Sequence, residues 1–287
     1  MELVRKGMRV YERHGLFQLG LSASFVVDEV IFASTIKCHL HPRVRELKYR
    51  IQYGRSAPRA AELIHVDPTT IEWIIAPRLH VRSDVTKYGT SILAGDWDRK
   101  FSDHQLSYLG TWENVKEQTL VHVRNFGLYT AAKAHIEEGI PWQETDLYSY
   151  FIRNSKSREN DRRYGSARTI DRRLSELDRL YRHINNHGYL RQSELEADED
   201  IPFAESADQF AVAPWQNEVM VAIGRDGEIL FNEGRHRFVI ARILGLDSIP
   251  VRVIARHREW QTVRNRVVQG TTSPYPHPDL VGLPSGQ

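Results

Sequence analysis

The sequence predicts an α+β protein: a mixed β-sheet with flanking helices, an N-terminal helical appendage and a helical insertion. Three observations predict it. Residues 218–255 read without a gap as strand, turn, strand, helix and strand. Further strand-length apolar runs lie far upstream, within 61–76, and the stretch between carries helical rather than strand periodicity. With 287 residues, 41% hydrophobic and 10% aromatic, the chain can bury a substantial core.

Residues 1–60 read as an amphipathic helical appendage, and Gly54, Ser56 and Pro58 mark a linker to a core domain spanning 61–256. The apolar segment from Phe17 to Ile36 is interrupted by Gln18, Asp28 and Glu29, so no membrane span is expected. Its basic approach (Arg5, Lys6, Arg9, Arg13) leaves peripheral membrane contact as the alternative to a helix packed on the body of the protein. Ala61–Thr70 holds a short strand and an Asp67-Pro68 turn, and Ile71–Ala76 is a strand closed by Pro77. In the loop that follows, Asp96 and Asp98 bracket Trp97 after Gly95. Two carboxylates there suit a Mg²⁺ ligand or a general base; the plain alternative is a surface turn anchored by Trp97.

Residues 101–168 carry helical signals at Asn114–Phe126, Tyr129–Glu138 and Glu144–Asn154, read as an inserted lid, a wall of an acceptor site, or a packing subdomain. Lys156, Arg158, Arg162, Arg163 and Arg168 then form a charge run, a solvated loop or an anion contact. From Thr169, the spacing of Leu174, Leu177, Leu180, Tyr181 and Ile184 predicts a helix that buries one face and stops at Gly188. Past Ala255 the sequence predicts one more helix and then a Pro/Gly/Ser-rich disordered tail over 271–287.

The central stretch opens with Glu218–Ile223, an apolar run of the kind covered on both faces. Gly224-Arg225-Asp226-Gly227 supplies a hairpin turn and Glu228–Phe231 the returning strand. Asn232-Glu233-Gly234-Arg235-His236-Arg237 precedes Phe238, Val239, Ile240, Ala241, Ile243 and Leu244 at helical spacing, with Gly245 as the stop. A helix therefore starts beside Gly234. Its unpaired N–H groups and positive dipole end favour an anion, Gly234 would let a ligand approach the main chain, and Arg235, His236 and Arg237 add cationic donors. Charge-assisted arginine hydrogen bonds at ~1.5–3 kcal/mol outweigh the ~0.3–1 kcal/mol of the dipole, so Arg235 and Arg237 are expected to dominate phosphate binding. Ile249–Ile254 closes the unit as a strand with Pro250 near its start.

The run DGEILFNEGRHRFVIARILGLDSIPVRVI resembles the nucleotide-binding core of the ParB/sulfiredoxin-like superfamily: a strand, Gly-x-x-Arg opening a helix, Gly, then Ile-Pro-Val. Thr70–Pro77 is similar to that family's opening strand, and Leu177–Gln192 to the helix, Gly and Gln before its hairpin; together the pieces span roughly 65–98 and 170–256. The resemblance implies a ParB-like domain binding ATP or another nucleoside triphosphate. Sulfiredoxins place a cysteine directly after the motif Gly; here Arg235 stands there and the one cysteine, Cys38, is remote, so sulfinic acid reduction is not expected. Partition proteins of the family use Gly-Glu-Arg-Arg followed by a helix-turn-helix domain, for which too few residues remain.

Gly234-Arg235-His236-Arg237 is more similar to the free serine kinases of ParB-like fold. That resemblance implies a Mg²⁺-dependent kinase acting on a small hydroxyl acceptor, with Glu233, Asp98 or His236 in the chemistry, Asp96, Asp98 and Glu233 around the metal, and Gly234, Arg235, His236 and Arg237 on the nucleotide. A nucleotide hydrolase, a non-catalytic CTP- or ATP-gated switch and a ParB-like nuclease are the alternatives. Lys+Arg 39 against Asp+Glu 37, a formal charge of +2, does not itself demand a polyanion, and DNA is disfavoured as a partner. A single cysteine excludes an internal disulfide and fits a reducing, cytoplasmic setting.

Overall fold

The computed structural model describes residues 36–59, 62–76, 90–107, 119–156, 164–191, 194, 218–270 and 276–284. It is an α+β fold on one mixed sheet. The strands are β1 (Leu63–Val66), β2 (Trp73–Ala76), β3 (Ser91–Leu93), β4 (Phe101–Ser102), β5 (Thr119–His122), β6 (Val219–Ile223), β7 (Ile229–Glu233) and β8 (Ile249–His257). The helices are α1 (Ile36–Tyr53), α2 (Gly127–Glu138), α3 (Asp146–Ser155), α4 (Ala167–His187), α5 (Arg235–Ile243) and α6 (Arg258–Val268).

The sheet runs β1-β8-β6-β7-β2-β5-β4, and β3 also pairs with β8. β8 is nine residues long and serves two partners in turn, β1 antiparallel over Ile249–Arg252 and β3 parallel over Ala255–His257. β6 and β7 form the expected antiparallel hairpin, and β7 lies parallel to β2. Ala76 and Glu233 therefore finish at the same end of the sheet.

Alternation along the strands splits the core in two. Ile74, Val121, Val221, Phe231, Val251 and Val253 face the larger core with Leu128 and Ala132 of α2, Phe151 of α3, Leu174, Leu177, Leu180 and Ile184 of α4, and Phe238–Ala241 of α5. Ile75, Leu120, Ala222, Leu230, Ile254 and Ala255 face the other side, where Trp73, Leu93, Trp97 and Met220 pack. α4 starts at a capping box, Ser166 accepting from the Thr169 N–H while the Thr169 hydroxyl accepts from the Ser166 N–H.

Four expectations need correction. Asn114–Phe126 is not a helix in its described part: Thr119–His122 is strand β5, paired with β2, and a 3₁₀ turn follows. With β4 this makes part of the supposed helical insertion an edge of the sheet. Ser91–Leu93, expected in a loop, is β3. The linker at Gly54–Ser56 is a docked 3₁₀ turn, Ser56 being buried with its carbonyl accepting from Gln261 Nε2 at 3.0 Å. The tail is ordered over 276–284, where Pro278–Leu280 forms a 3₁₀ turn with Asp279 buried. Helices α2, α3, α4, α5 and α6 fall where periodicity predicts them. Residues 17–35, most of the charge run and 195–217 lie outside the described residues.

Candidate functional site

The strand-to-helix corner forms as the sequence predicts. β7 ends at Glu233, Gly234 takes a left-handed conformation (φ 89°, ψ 32°), and α5 begins at Arg235 with no side-chain cap on its first turn. Glu233 Oε1 accepts from the Gly234 N–H at 3.2 Å, and Arg235 and His236 are half-exposed. The glycine's role differs from the expected one. A Cβ at Gly234 would stand 2.8 Å from Val219 Cα, so its bareness lets the corner close on β6 and does not open the main chain to a ligand.

Arg237 points inward. Its guanidinium is paired with Glu218, also buried, and lies 4.9 Å over the ring of Tyr189. Burial works against its charge, and Tyr189 and Glu218 more than offset this, leaving the guanidinium more strongly protonated than usual. The Tyr189 hydroxyl is pushed up to about 12, chiefly by burial. Arg252, on β8 beside Met220, is fully buried; burial brings it down to about 9 against the restoring pull of Glu218, and its Nη2 lies 3.2 Å from Met220 Sδ. A helix-start arginine directed at solvent phosphate is therefore not what Arg237 is: it belongs to a buried Glu218–Arg237–Arg252–Tyr189 network beneath the corner. Arg235 and the imidazole of His236 are the groups of the motif that reach its surface.

Comparison with family models, with curated proteins and with solved structures gave no match. The site is thus read from its own geometry.

Asp96 and Asp98 do not join the corner. β3 runs parallel to β8 and carries the chain to the opposite end of the sheet, where the two carboxylates hold the β6–β7 turn. Asp98 is buried and accepts from the Arg225 N–H at 2.7 Å and from its guanidinium Nη2 at 2.7 Å; Asp96 is exposed and accepts from the same Nη2 at 2.7 Å. Burial alone would raise the Asp98 carboxyl, but the Arg225 hydrogen bonds bring it below the ordinary value. His257 completes the staple, its Nε2 3.0 Å from the Gly95 carbonyl while Nδ1 accepts from the Glu259 N–H at 3.2 Å. Gly224 and Gly234 sit at opposite ends of β6, about 16 Å apart at the rise of an extended strand. The expected metal set of Asp96, Asp98 and Glu233 is not assembled, and Asp98 has no access to chemistry at Gly234. Among the described residues, no group of three or more His, Cys, Asp or Glu gathers as a metal site.

A third polar cluster was invisible in the sequence because it depends on the tail. Arg256 of β8 and Arg264 of α6, both fully buried, hold the Asp279 carboxylate: Arg256 Nε donates to Oδ1 at 3.1 Å and to Oδ2 at 2.9 Å, and Arg264 Nη1 lies 2.8 Å from Oδ2. Trp260 Nε1 adds a bond to Oδ2 at 2.9 Å, and Glu62 stands 3.3 Å from Arg256 and 3.8 Å from Arg264. Next to it, His277 Nε2 donates to the Gly227 carbonyl at 2.8 Å and its Nδ1 accepts from the Asp279 N–H at 3.0 Å. The tail thereby ties α6 to the hairpin turn. One signal was present: Arg252 and Arg256 interrupt a strand otherwise fit for full burial, and buried arginines require acidic partners.

Proposed function

We propose that this chain is a ParB/sulfiredoxin-like nucleotide-binding protein whose corner at Gly234 holds the phosphates of a nucleoside triphosphate. One observation carries the reading: parallel strands β2 and β7 end together at the N-terminus of α5, an end without a side-chain cap, flanked by half-exposed Arg235 and His236. Ligands of open sheets favour the crevice outside the carboxyl ends of parallel strands, and unpaired helix N–H groups favour phosphate. Arg235 supplies the charge-assisted bonds and His236 a second donor. The Glu218–Arg237–Arg252 network fixes the corner from below, so Arg237 supports the site without touching the ligand.

The reaction class proposed is transfer of phosphate to a small hydroxyl compound. Among the described residues, Glu233 is the half-exposed acidic side chain at the corner, and its carboxylate would be one of the one or two protein ligands that a phosphate-bound Mg²⁺ takes. Such an ion would neutralise charge on the transferred phosphate. The chain's own part is to position phosphates by Arg235 and the helix start and to receive a proton at Glu233 or His236. Incubation with γ-labelled nucleotide, Mg²⁺ and pooled small hydroxyl metabolites tests this. A labelled small molecule, lost in Glu233→Gln, is expected; tight nucleotide binding with no labelled product would leave a nucleotide-gated binder and refute the transferase.

A further inference from the structure

We propose that the outward face of α1, with the turn that ends it and the adjoining strip of α6, docks on an anionic lipid surface. α1 meets the body of the protein through one side: the Tyr49 hydroxyl accepts from the Ile92 N–H of β3 at 3.1 Å, and the Tyr53 ring lies 6.0 Å from that of Tyr49. Leu47 and Ile51 each stand two residues before one of these tyrosines, about 160° away round the helix. They point to solvent. Leu47 is 60% and Ile51 66% exposed, an aliphatic pair one helical turn apart.

Positive charge adjoins that pair. From Ile36 to Arg59 the sequence holds seven Lys and Arg against Glu46 alone, whereas the whole chain sums to +2. Glu46 is engaged by Arg50 at 2.8 Å. The turn after α1 is held on α6, the Ser56 carbonyl accepting from Gln261 Nε2 at 3.0 Å, and it leaves Arg55 exposed. Burial and Tyr49 raise the Tyr53 hydroxyl while Arg258 opposes them, so Arg258 lies beside the last turn of α1. Arg258, Thr262 and Arg266 follow at one-turn intervals on the exposed strip of α6. Arg55, Arg59, Arg258 and Arg266 are all exposed, and among the described residues none of these four guanidiniums has an acidic partner. Of the acids nearby, Glu62 is turned inward to Arg256 and Arg264, and Glu259, exposed on α6, offsets one charge of the four.

The pairing of aliphatic side chains with arginine selects the partner. A helix lying in a membrane interface puts apolar side chains into the acyl boundary and cations against headgroup phosphates. A nucleic acid backbone offers Leu47 and Ile51 nothing to contact. A protein interface needs about 800 Å² a side with an apolar, aromatic centre, which two aliphatic side chains among arginines do not make. No helix described is long and apolar enough to cross a membrane, so the contact proposed is with its surface. β3 pairs with the Ala255–His257 end of β8, whereas Gly234 packs on Val219, opposite Val251 near the other end of β8. The lipid face is therefore separate from the nucleotide corner.

The test is cosedimentation of the full chain with vesicles of phosphatidylcholine alone and with one-third phosphatidylserine, at about 0.1 M and about 0.5 M KCl, where the Debye length falls from about 10 Å to about 4 Å. Binding is expected to the anionic vesicles at low salt, and weaker binding at high salt. The double variant Arg55→Gln, Arg266→Gln should bind about 25-fold more weakly at low salt, about fivefold per arginine, with a flatter salt dependence. Leu47→Gln, Ile51→Gln should bind about 100-fold more weakly at both salt concentrations, about tenfold for each aliphatic side chain withdrawn from the acyl boundary. All four sites are exposed, so both variants should melt with wild type. Equal binding to the two kinds of vesicle, no binding to the anionic ones at low salt, or unchanged binding in either double variant would overturn the proposal. So would tighter binding to a DNA duplex than to the anionic vesicles, or self-association of the chain that Leu47→Gln, Ile51→Gln abolishes, which would make this face a contact between copies.

Discussion

Replacing Asp279 by Asn should unfold the protein more readily than any single surface change, although the residue lies in a stretch whose composition reads as loose tail. Its carboxylate is fully buried and receives Arg256, Arg264 and Trp260. Those bonds hold it at about 2, below the ordinary value near 3.9 despite burial, which by itself corresponds to ~2–3 kcal/mol of favourable interaction with the charged form. The amide is isosteric but turns an NH₂ toward guanidinium donors, and Arg256 and Arg264 are left with Glu62 at 3.3 and 3.8 Å as their nearby counter-charge. Breaking a buried pair in this way costs ~3–5 kcal/mol. At ~2–4 °C per kcal/mol for a chain of this size class, the midpoint should fall by roughly 6–20 °C. Differential scanning calorimetry of Asp279→Asn and of the chain ended at residue 275 should show similar losses. A midpoint within 2 °C of wild type for Asp279→Asn would refute the clamp.

Three more outcomes follow from the geometry. Arg237→Ala should lower stability by ~3–5 kcal/mol in urea denaturation, because Glu218 is left buried without its main counter-charge; a folded variant of wild-type stability would put Arg237 back at the surface. Gly234→Ala should cost ~1–3 kcal/mol from the left-handed backbone and the clash with Val219, also in urea, and near-neutral behaviour would contradict the close packing of the corner on β6. For acid, the sign is that of a depressed carboxylate: Asp279 contributes its full stabilisation above about pH 4 and loses it as pH falls toward 2. Asp98 moves in the same direction. The midpoint of wild type should therefore drop steeply over that window and that of Asp279→Asn much less; parallel curves would exclude Asp279 as a source of acid sensitivity.

The alternation of Val219, Val221 and Ile223, the Gly-rich turn and the 3.6-residue spacing of α4 and α5 were legible because each signal is local and repeated. β5 was not. Four residues with apolar Leu120, Val121 and Val123 nearby fit helical spacing as well as strand spacing, and only pairing with β2 decides between them. β3 is three residues long and carries no period at all, yet it determines that Asp96 and Asp98 end at the hairpin turn and not at Gly234. The candidate site was half legible: the corner, with Arg235 and His236 at its surface, follows from sequence order. The inward turn of Arg237 depends on Glu218 and Tyr189, 19 and 48 residues away in the chain, and that meeting is set by the sheet.

The most direct test of nucleotide binding at the Gly234 corner is the thermal shift of the full chain with ATP, CTP, GTP and ADP, each with Mg²⁺, repeated on Arg235→Ala. A nucleotide at 100 times its Kd should add ~2.7 kcal/mol of stability to wild type. Arg235→Ala, compared with its own melt without ligand, should lose most of that shift, since Arg235 is the arginine placed at the surface of the corner. No shift with any of the four nucleotides, or an undiminished shift in Arg235→Ala, would contradict the account.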